Sequence, residues 1–396
     1  MRTILIDLID TQGTFKGSGV YIRKVFLTLL KTVEDRPEYA AVHFVCTYDF
    51  NRPILYPDFS VEALSANPRV TVVDIAKTSF PEVCRQYAVD TLFLGLGQQL
   101  YYYDFTGIKA RTICVLHDLY DLELTNTRLY SLVNKNQSWS KRLRTLYDRY
   151  CAYLRNPSLF INRKHPYQAH IRYFRDNPDY VIVTVSDFSY HSVLHYLPFD
   201  QTKIQVLWSP EKECPVSRPV ENDKLMDLMR DQVKYLLVVS ANRELKNPGK
   251  AIEGFLLYEQ QHPQDDLYLV TIGYGRSLSE RHIDLPYLSD SDIEHAYQHC
   301  YALLYPSLFE GFGYPPLEVM KYSKPVLSSN VCSMPEILQE APIWFSPFFA
   351  TDIYKAIDTL RQADYEQLCQ RSYARYLEVS ERQRADLVKL VGLILS

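Results

Sequence analysis

Tyr305-Pro-Ser-Leu-Phe-Glu310-Gly-Phe-Gly-Tyr-Pro-Pro-Leu-Glu318 is the stretch on which the reading of this 396-residue chain turns. The short apolar run Ala302–Tyr305 predicts a buried strand, and Pro315-Pro316 opens a helix, where a missing N–H costs nothing. Gly311 and Gly313 in the loop between them let the backbone approach a ligand closely, and the N–H groups of a helix start favour an anion such as a diphosphate. Glu310 falls in the loop and Glu318 in the first helical turn, with seven residues between them. Two carboxylates so placed can grip hydroxyl-bearing groups on either side of a phosphate. Alone, the stretch also reads as an ordinary strand–loop–helix turn, with Glu318 facing the helix dipole.

A second loop adds to it. Ser240-Ala-Asn-Arg243-Glu-Leu-Lys246-Asn247-Pro248 follows another apolar run, Tyr235–Ser240. Arg243 offers a bidentate fork and Lys246 a point charge, three positions apart and able to converge on one anion. Working outward, strands are predicted at Thr3–Leu8, Val42–Thr47, Val70–Ile75, Thr91–Leu94, Thr112–Leu116, Tyr180–Val185 and Ile204–Leu207 in the first half. In the second half they are Tyr235–Ser240, Leu267–Ile272, Ala302–Tyr305, Pro325–Ser328 and Ile343–Phe345. Alternation with helical patterns is the signature of βαβ units. The expected fold is α/β: two doubly wound, Rossmann-like domains at 1–208 and 232–375, with a Pro-rich linker and short helix at 209–231. A C-terminal helix at 376–396 would pack back on the first domain, and ligands would lie beyond the carboxyl ends of the strands, in a deep cleft between domains.

These residues carry a resemblance. The second half is similar to the retaining glycosyltransferases of family 4, which have the GT-B architecture. The match runs from Arg243-x-x-Lys-Asn247 and Gly273-Tyr-Gly275 through Leu288-Ser-Asp290, Tyr305-Pro-Ser307 and the Glu310…Glu318 pair to Lys324-Pro-Val326 and Pro335-Glu336. The first half matches more loosely, at Gly17-Ser-Gly19-Val-Tyr21, His117-Asp118 and Val185-Ser-Asp-Phe-Ser189. The resemblance implies that Arg243 and Lys246 neutralise a donor diphosphate, Glu310 binds donor-sugar hydroxyls and Glu318 ribose hydroxyls. Amides of Gly311, Phe312 and Gly313 would line sugar and phosphate, and backbone near Tyr287 and Leu288 would meet the base. His117 would lie near the transferred sugar, with Gly17 and Gly19 closing over the diphosphate. Catalysis would fall to Glu310, His117, Arg243 and Lys246, since fixed cations aimed at the leaving diphosphate are the expected device.

The chain departs from the family pattern in three places. Pro286 replaces a glycine ahead of the base-binding segment, and Ser323 replaces one in the turn before Lys324-Pro325, where a left-handed non-glycine costs about 1 kcal/mol. The interval His117–Ser186 is longer than usual, with a basic aromatic insertion at about 130–178. Within it, Lys135–Arg175 carries +9, leaving −13 for the rest of a chain whose formal charge is −4. Its interleaved aromatics fit either a solvated helix face or a surface for something anionic, a phosphate-bearing acceptor or an acidic membrane face.

Other signals are declined. Asp290-Ser-Asp292 resembles a metal motif but sits where Ser and Asp cap helices, and His295 and His299 lack a third ligand, so no metal site is expected. Gly17-Ser-Gly19 lacks the later glycine of a dinucleotide fingerprint. Eight scattered cysteines without a Cys-x-x-Cys pair fit reduced thiols, and no apolar run of about 20 residues is present. The near-neutral charge argues against a nucleic-acid partner.

The reading that follows is a cytoplasmic enzyme, either free or peripheral on the inner face of the membrane. It would be a metal-independent, cofactor-free hexosyltransferase moving a sugar from a nucleotide diphosphate to a hydroxyl or lipid-linked acceptor in bacterial surface polysaccharide, lipopolysaccharide or capsule assembly. A nucleotide-sugar epimerase, a phosphorylase-like enzyme and an inactive sugar-nucleotide binder remain as alternatives.

Overall fold

The computed structural model describes residues 2–13, 17–123, 165–212 and 218–396. The chain divides into two compact units, Met1–Glu211 with Gln383–Ser396, and Lys212–Arg382.

The first unit is built on β1 (Arg2–Asp7), β2 (Val42–Tyr48), β3 (Val70–Asp74), β4 (Thr91–Leu94), β5 (Arg111–Leu116), β6 (Tyr180–Thr184) and β7 (Ile204–Val206), ordered β3-β2-β1-β4-β5-β6-β7. Every pairing is parallel. Ile4, Leu5 and Ile6 are completely buried, as expected of a parallel sheet covered on both faces, which is why its strands read as unbroken apolar runs. The helix Gly17–Asp35 buries Tyr21, Ile22, Val25, Phe26, Leu29 and Val33, one stripe at helical spacing.

The second unit has β8 (Lys234–Val238), β9 (Leu267–Ile272), β10 (His282–Leu285), β11 (Ala302–Tyr305), β12 (Val326–Ser329) and β13 (Ile343–Phe345), ordered β10-β9-β8-β11-β12-β13 and again parallel. Twelve of these thirteen strands lie where the apolar runs place them, within one or two residues. β10 escaped because it is an edge strand reading His-Ile-Asp-Leu, half polar, with His282 and Asp284 both bonded to Thr271 of β9.

The order of each sheet reverses once, between β1 and β4 and between β8 and β11, and a ligand of a doubly wound sheet binds where the loops diverge at such a point. In the second unit those loops are the two singled out above: Ser240–Asn247 after β8 and Pro306–Gly313 after β11.

Ser323 adopts φ +58°, so the chain does carry a left-handed serine where the family has glycine. The stretch read as a linker contains the helix Asp223–Arg230, started by the Asn222 side chain accepting from Leu225 N–H at 3.0 Å, and this helix lies in the second unit. The final helix, Tyr365–Leu395, contributes its last turns to the first unit. There Asp386 accepts from Trp208 N–H at 3.1 Å and Gln383 donates to the Ser209 carbonyl at 2.7 Å. Among the described residues no helix is long and apolar enough to cross a membrane.

Candidate active site

Two left-handed residues shape the loop after β8: Ser240 (φ +54°) turns the chain off the strand, and Asn247 (φ +53°) starts the helix Pro248–Gln261. Asn247 is buried, its amide donating to the Pro347 carbonyl at 2.8 Å. Between them Glu244–Lys246 form a single 3-10 turn. This loop is stitched to the one after β11 by Leu308 N–H donating to the Leu245 carbonyl at 2.8 Å, with Ser307 Oγ packed 3.2 Å from the same carbonyl. Ser333 bonds the Glu310 carbonyl at 2.9 Å, and Ser329 bonds that of Ser307 at 2.6 Å.

The stitching brings Lys246 and Glu310 together as an ion pair, with side chains only 13% and 12% exposed. Lys246 also donates to the Tyr305 hydroxyl at 2.8 Å. One Glu310 oxygen, Oε1, accepts from Lys246, from the Tyr305 hydroxyl at 2.5 Å and from Ser307 Oγ at 2.5 Å. A buried pair is favourable only when further hydrogen bonds satisfy it, and here Tyr305 and Ser307 provide them. Burial first, and then the Glu310 charge, hold the Tyr305 phenol well above its ordinary pKa, so it remains a proton donor. Arg243 is exposed, and its guanidinium bonds to none of the described residues.

Gly313 sits at φ +86° as the cap residue of the helix Tyr314–Met320, with Gly311 and Phe312 buried ahead of it. The helix starts at Tyr314, so Glu318 is its fifth residue and not in the first turn. That corrects the position expected from Pro315-Pro316, because both prolines are accommodated inside the first turn. So far down the helix, Glu318 has little to gain from the N-terminal dipole. Its oxygens are held instead by Lys212 Nζ on Oε1 at 3.1 Å and the Tyr297 hydroxyl on Oε2 at 2.8 Å. Burial works against the Lys212 charge, yet Glu318, with Asp290 and Glu294 behind it, raises its pKa above the usual lysine value.

Tyr287 is 74% exposed and Leu288 buried. Nearby, the Gly273–Gly275 loop is held by Asp284, whose two oxygens accept Tyr274 N–H at 2.9 Å and Gly275 N–H at 2.7 Å. Asp290-Ser-Asp292 does begin a helix, Asp290–His299, although the cap is Ser289, which accepts from Asp292 N–H at 3.1 Å.

In the first unit, His117 lies just past β5, with Nε2 donating to the Gly95 carbonyl at 3.0 Å and the ring edge-on to Tyr21 at 4.8 Å. Burial lowers its pKa, so the imidazole is neutral at pH 7 and Nδ1 is left as an acceptor. Gly17 is exposed at the start of its helix, and Gly19 is buried against Asp10. Residues 135–164 of the basic aromatic segment lie outside the described residues. In its described end, the helix His165–Asp176, Tyr167, Tyr173 and Phe174 are buried in the core of the first unit, which corrects the expectation that these aromatics face an anionic surface; Arg172 and Arg175 are exposed.

Residues 227–375 match the family model of glycosyl transferases group 1. The matched span lies within the second unit. It includes Arg243, Lys246, Tyr287, Leu288, Glu310, Gly311, Phe312, Gly313 and Glu318, whereas Gly17, Gly19 and His117 fall outside the match. Serotype-specific mannosyltransferase WbdA of Escherichia coli is 33% identical over 135 residues, 33% of this chain and 16% of that protein. O-antigen chain mannosyltransferase RfbU of Salmonella typhimurium LT2 is 25% identical over 193 residues, 46% of this chain and 51% of its own length. The chain thus spans about a sixth to a half of the curated relatives it matches. Anabaena Alr3699/HepE, solved with UDP and glucose, aligns with a TM-score of 0.63 at 13% identity, covering 100% of this chain and 99% of that one. The fold is therefore that of the GT-B glycosyltransferases, two Rossmann-like domains, as the sequence resemblance implied.

Four residues that matter to this geometry were given no role from sequence. Tyr305 and Ser307 lay inside the decisive stretch, where two hydroxyls at the end of a buried strand were a legible signal. Tyr297 and Lys212 gave none, because each acts through a contact distant in sequence.

Proposed function

We propose that this protein transfers a sugar from a nucleoside diphosphate donor to a hydroxyl acceptor, with retention of configuration, in the assembly of a bacterial surface polysaccharide. One observation carries the reading: Lys246 and Glu310 meet where the sheet order reverses, with the guanidinium of Arg243, bonded to none of the described residues, in the same loop as Lys246. Arg243 and Lys246 would stabilise charge developing on the leaving diphosphate. Glu310 would orient the donor sugar and Glu318 the ribose. With two cations in that role, a divalent ion would not be needed. The names of the WbdA and RfbU relatives support mannose as the sugar and O-antigen as the product class. His117 would accept a hydrogen bond from the sugar or acceptor, and the basic residues of Lys135–Arg175 would meet an anionic acceptor or membrane face.

The test is turnover of GDP-mannose and UDP-glucose, with lipid-linked and free glycan acceptors, in excess EDTA. Arg243→Ala should lower kcat/KM by about 10–100-fold, the scale of one charge-assisted contact of roughly 1.5–3 kcal/mol. It should leave the unfolding midpoint unchanged, since Arg243 bonds to no described residue. Full activity of that variant, or loss of turnover with EDTA and recovery with Mn²⁺, would overturn the roles assigned.

A further inference from the structure

The crowding on one oxygen of Glu310 has a functional consequence. Oε1 accepts from three donors, Lys246, Tyr305 and Ser307, while Oε2 accepts from none of the described residues. A carboxylate oxygen has about two lone-pair sites, so three donors overfill it. Two of the three are fixed. Tyr305 ends β11 with its ring buried, and Ser307 is fully buried, its carbonyl accepting from the Ser329 hydroxyl at 2.6 Å. Lys246 is the third, a point charge on a flexible four-carbon stem, and the donor best able to leave for a stronger anion.

We propose that Tyr305 is a positioning residue that lets Lys246 pass from Glu310 to the donor diphosphate. Its hydroxyl accepts from the ammonium while donating to Oε1. When Lys246 turns to phosphate, Tyr305 and Ser307 still fill both sites of that oxygen, and Glu310 is not left a buried charge without partners. Oε2 stays the single open acceptor, held in one direction for a sugar hydroxyl. Without the Tyr305 hydroxyl, release of Lys246 would strip Glu310 of its main partner, and diphosphate binding would bear that cost. The inference rests on the donor-binding reading of Lys246 given above.

Isothermal calorimetry with UDP, GDP and ADP on a double-mutant cycle tests it. Tyr305→Phe keeps the ring and removes the hydroxyl. In the unsubstituted background it should weaken the nucleoside diphosphate that binds by about tenfold, the scale of one charge-assisted hydrogen bond. In the Lys246→Ala background, where there is no cation to hand over, Tyr305→Phe should change the affinity less than twofold. A residue that only shaped the loop would lose equally in both backgrounds. Equal losses, or none in either, overturn the role of Tyr305 alone. Failure of the unsubstituted protein to bind any of the three overturns the donor-site reading, and the inference with it. As a second readout, Tyr305→Phe should lower kcat for sugar transfer even at saturating donor, because Glu310 is less firmly aimed; an unchanged kcat would count against it.

Discussion

Replacing Gly19 by alanine tests whether that residue is a packing requirement of the fold. An ideal Cβ on Gly19 would stand 2.5 Å from the Asp10 carbonyl oxygen and 3.4 Å from both the Asp10 carbonyl carbon and Thr11 Cα. Carbon–oxygen contacts settle at about 3.3 Å or more, so the helix and the loop after β1 must separate by roughly 0.8 Å. That loop cannot yield cheaply. Thr11 N–H is bonded to Leu8 O at 3.0 Å, Gln12 N–H to Ile9 O at 3.1 Å and Gly13 N–H to Pro53 O at 2.9 Å, and the Ser18 hydroxyl is bonded to the Asp10 carboxylate. Overpacking of this kind costs about 1–3 kcal/mol, against about 0.5–1 kcal/mol gained by alanine over glycine in a helix. The expected net loss is about 1–2 kcal/mol. Gly392 is the control: it is exposed in the final helix with nothing within 4 Å of its Cβ position, so Gly392→Ala should gain about 0.5–1 kcal/mol. Urea unfolding of both variants reads the two signs directly. A Gly19→Ala protein as stable as the unsubstituted one, beside a Gly392→Ala gain, would refute the packing account and leave a ligand role as the reason for Gly19.

Two further outcomes are expected from charged groups. Burial raises the Asp7 carboxyl to about 7, with the Thr47 hydroxyl and the Ile9 amide pulling it back, and its Oδ2 has no partner among the described residues. The folded protein therefore holds this proton more tightly than the unfolded chain. The benefit is complete below the ordinary value near 3.9 and is lost as pH rises through about 7. Asp7→Asn should become progressively more stabilising between pH 4 and 8, by roughly 4 kcal/mol at most, and a difference independent of pH in chemical denaturation would sink the account. Lys212→Met should destabilise by about 1–3 kcal/mol at neutral pH, because Glu318 loses its ion pair in a largely buried setting. The Lys212 pKa is raised on folding, so its contribution is full below the ordinary lysine value near 10.4 and fades above the folded one. Melting curves of the two proteins should converge only in strong alkali; convergence already at pH 8 would show that the pair is not what Lys212 contributes.

Much of this molecule was legible in one dimension because its sheets are parallel and covered on both faces. A strand buried twice must be apolar throughout, so Ile4-Leu5-Ile6 or Leu267–Ile272 announces itself without any knowledge of its neighbours. Edge strand β10 pairs with β9 alone, carries the polar His282 and Asp284, both bonded to Thr271, and was missed because it does not read as an apolar run. The second-unit loops were found because their residue types are chemically conspicuous. The first-unit glycines were less so: Gly19 has a packing reason that sequence spacing does not distinguish from a ligand one.

The sequence by itself determined the fold class, the two sheets and the set of charged residues at the second reversal point, while the left-handed serine at 323 was implied by the family resemblance. Each depends on local composition or on backbone geometry within a few residues. Which charges meet was decided only by tertiary structure. Lys246 and Glu310 are 64 positions apart and become partners because β8 and β11 pair as neighbours and Leu308 bonds Leu245. Glu318 leaves the helix dipole for Lys212 and Tyr297, 106 and 21 positions away, because the helix begins one residue before its prolines. Charge interactions reach several ångströms through space in any direction, whereas sequence records only distance along the chain, so pairing of this kind becomes visible only once the sheet has fixed which loops stand side by side.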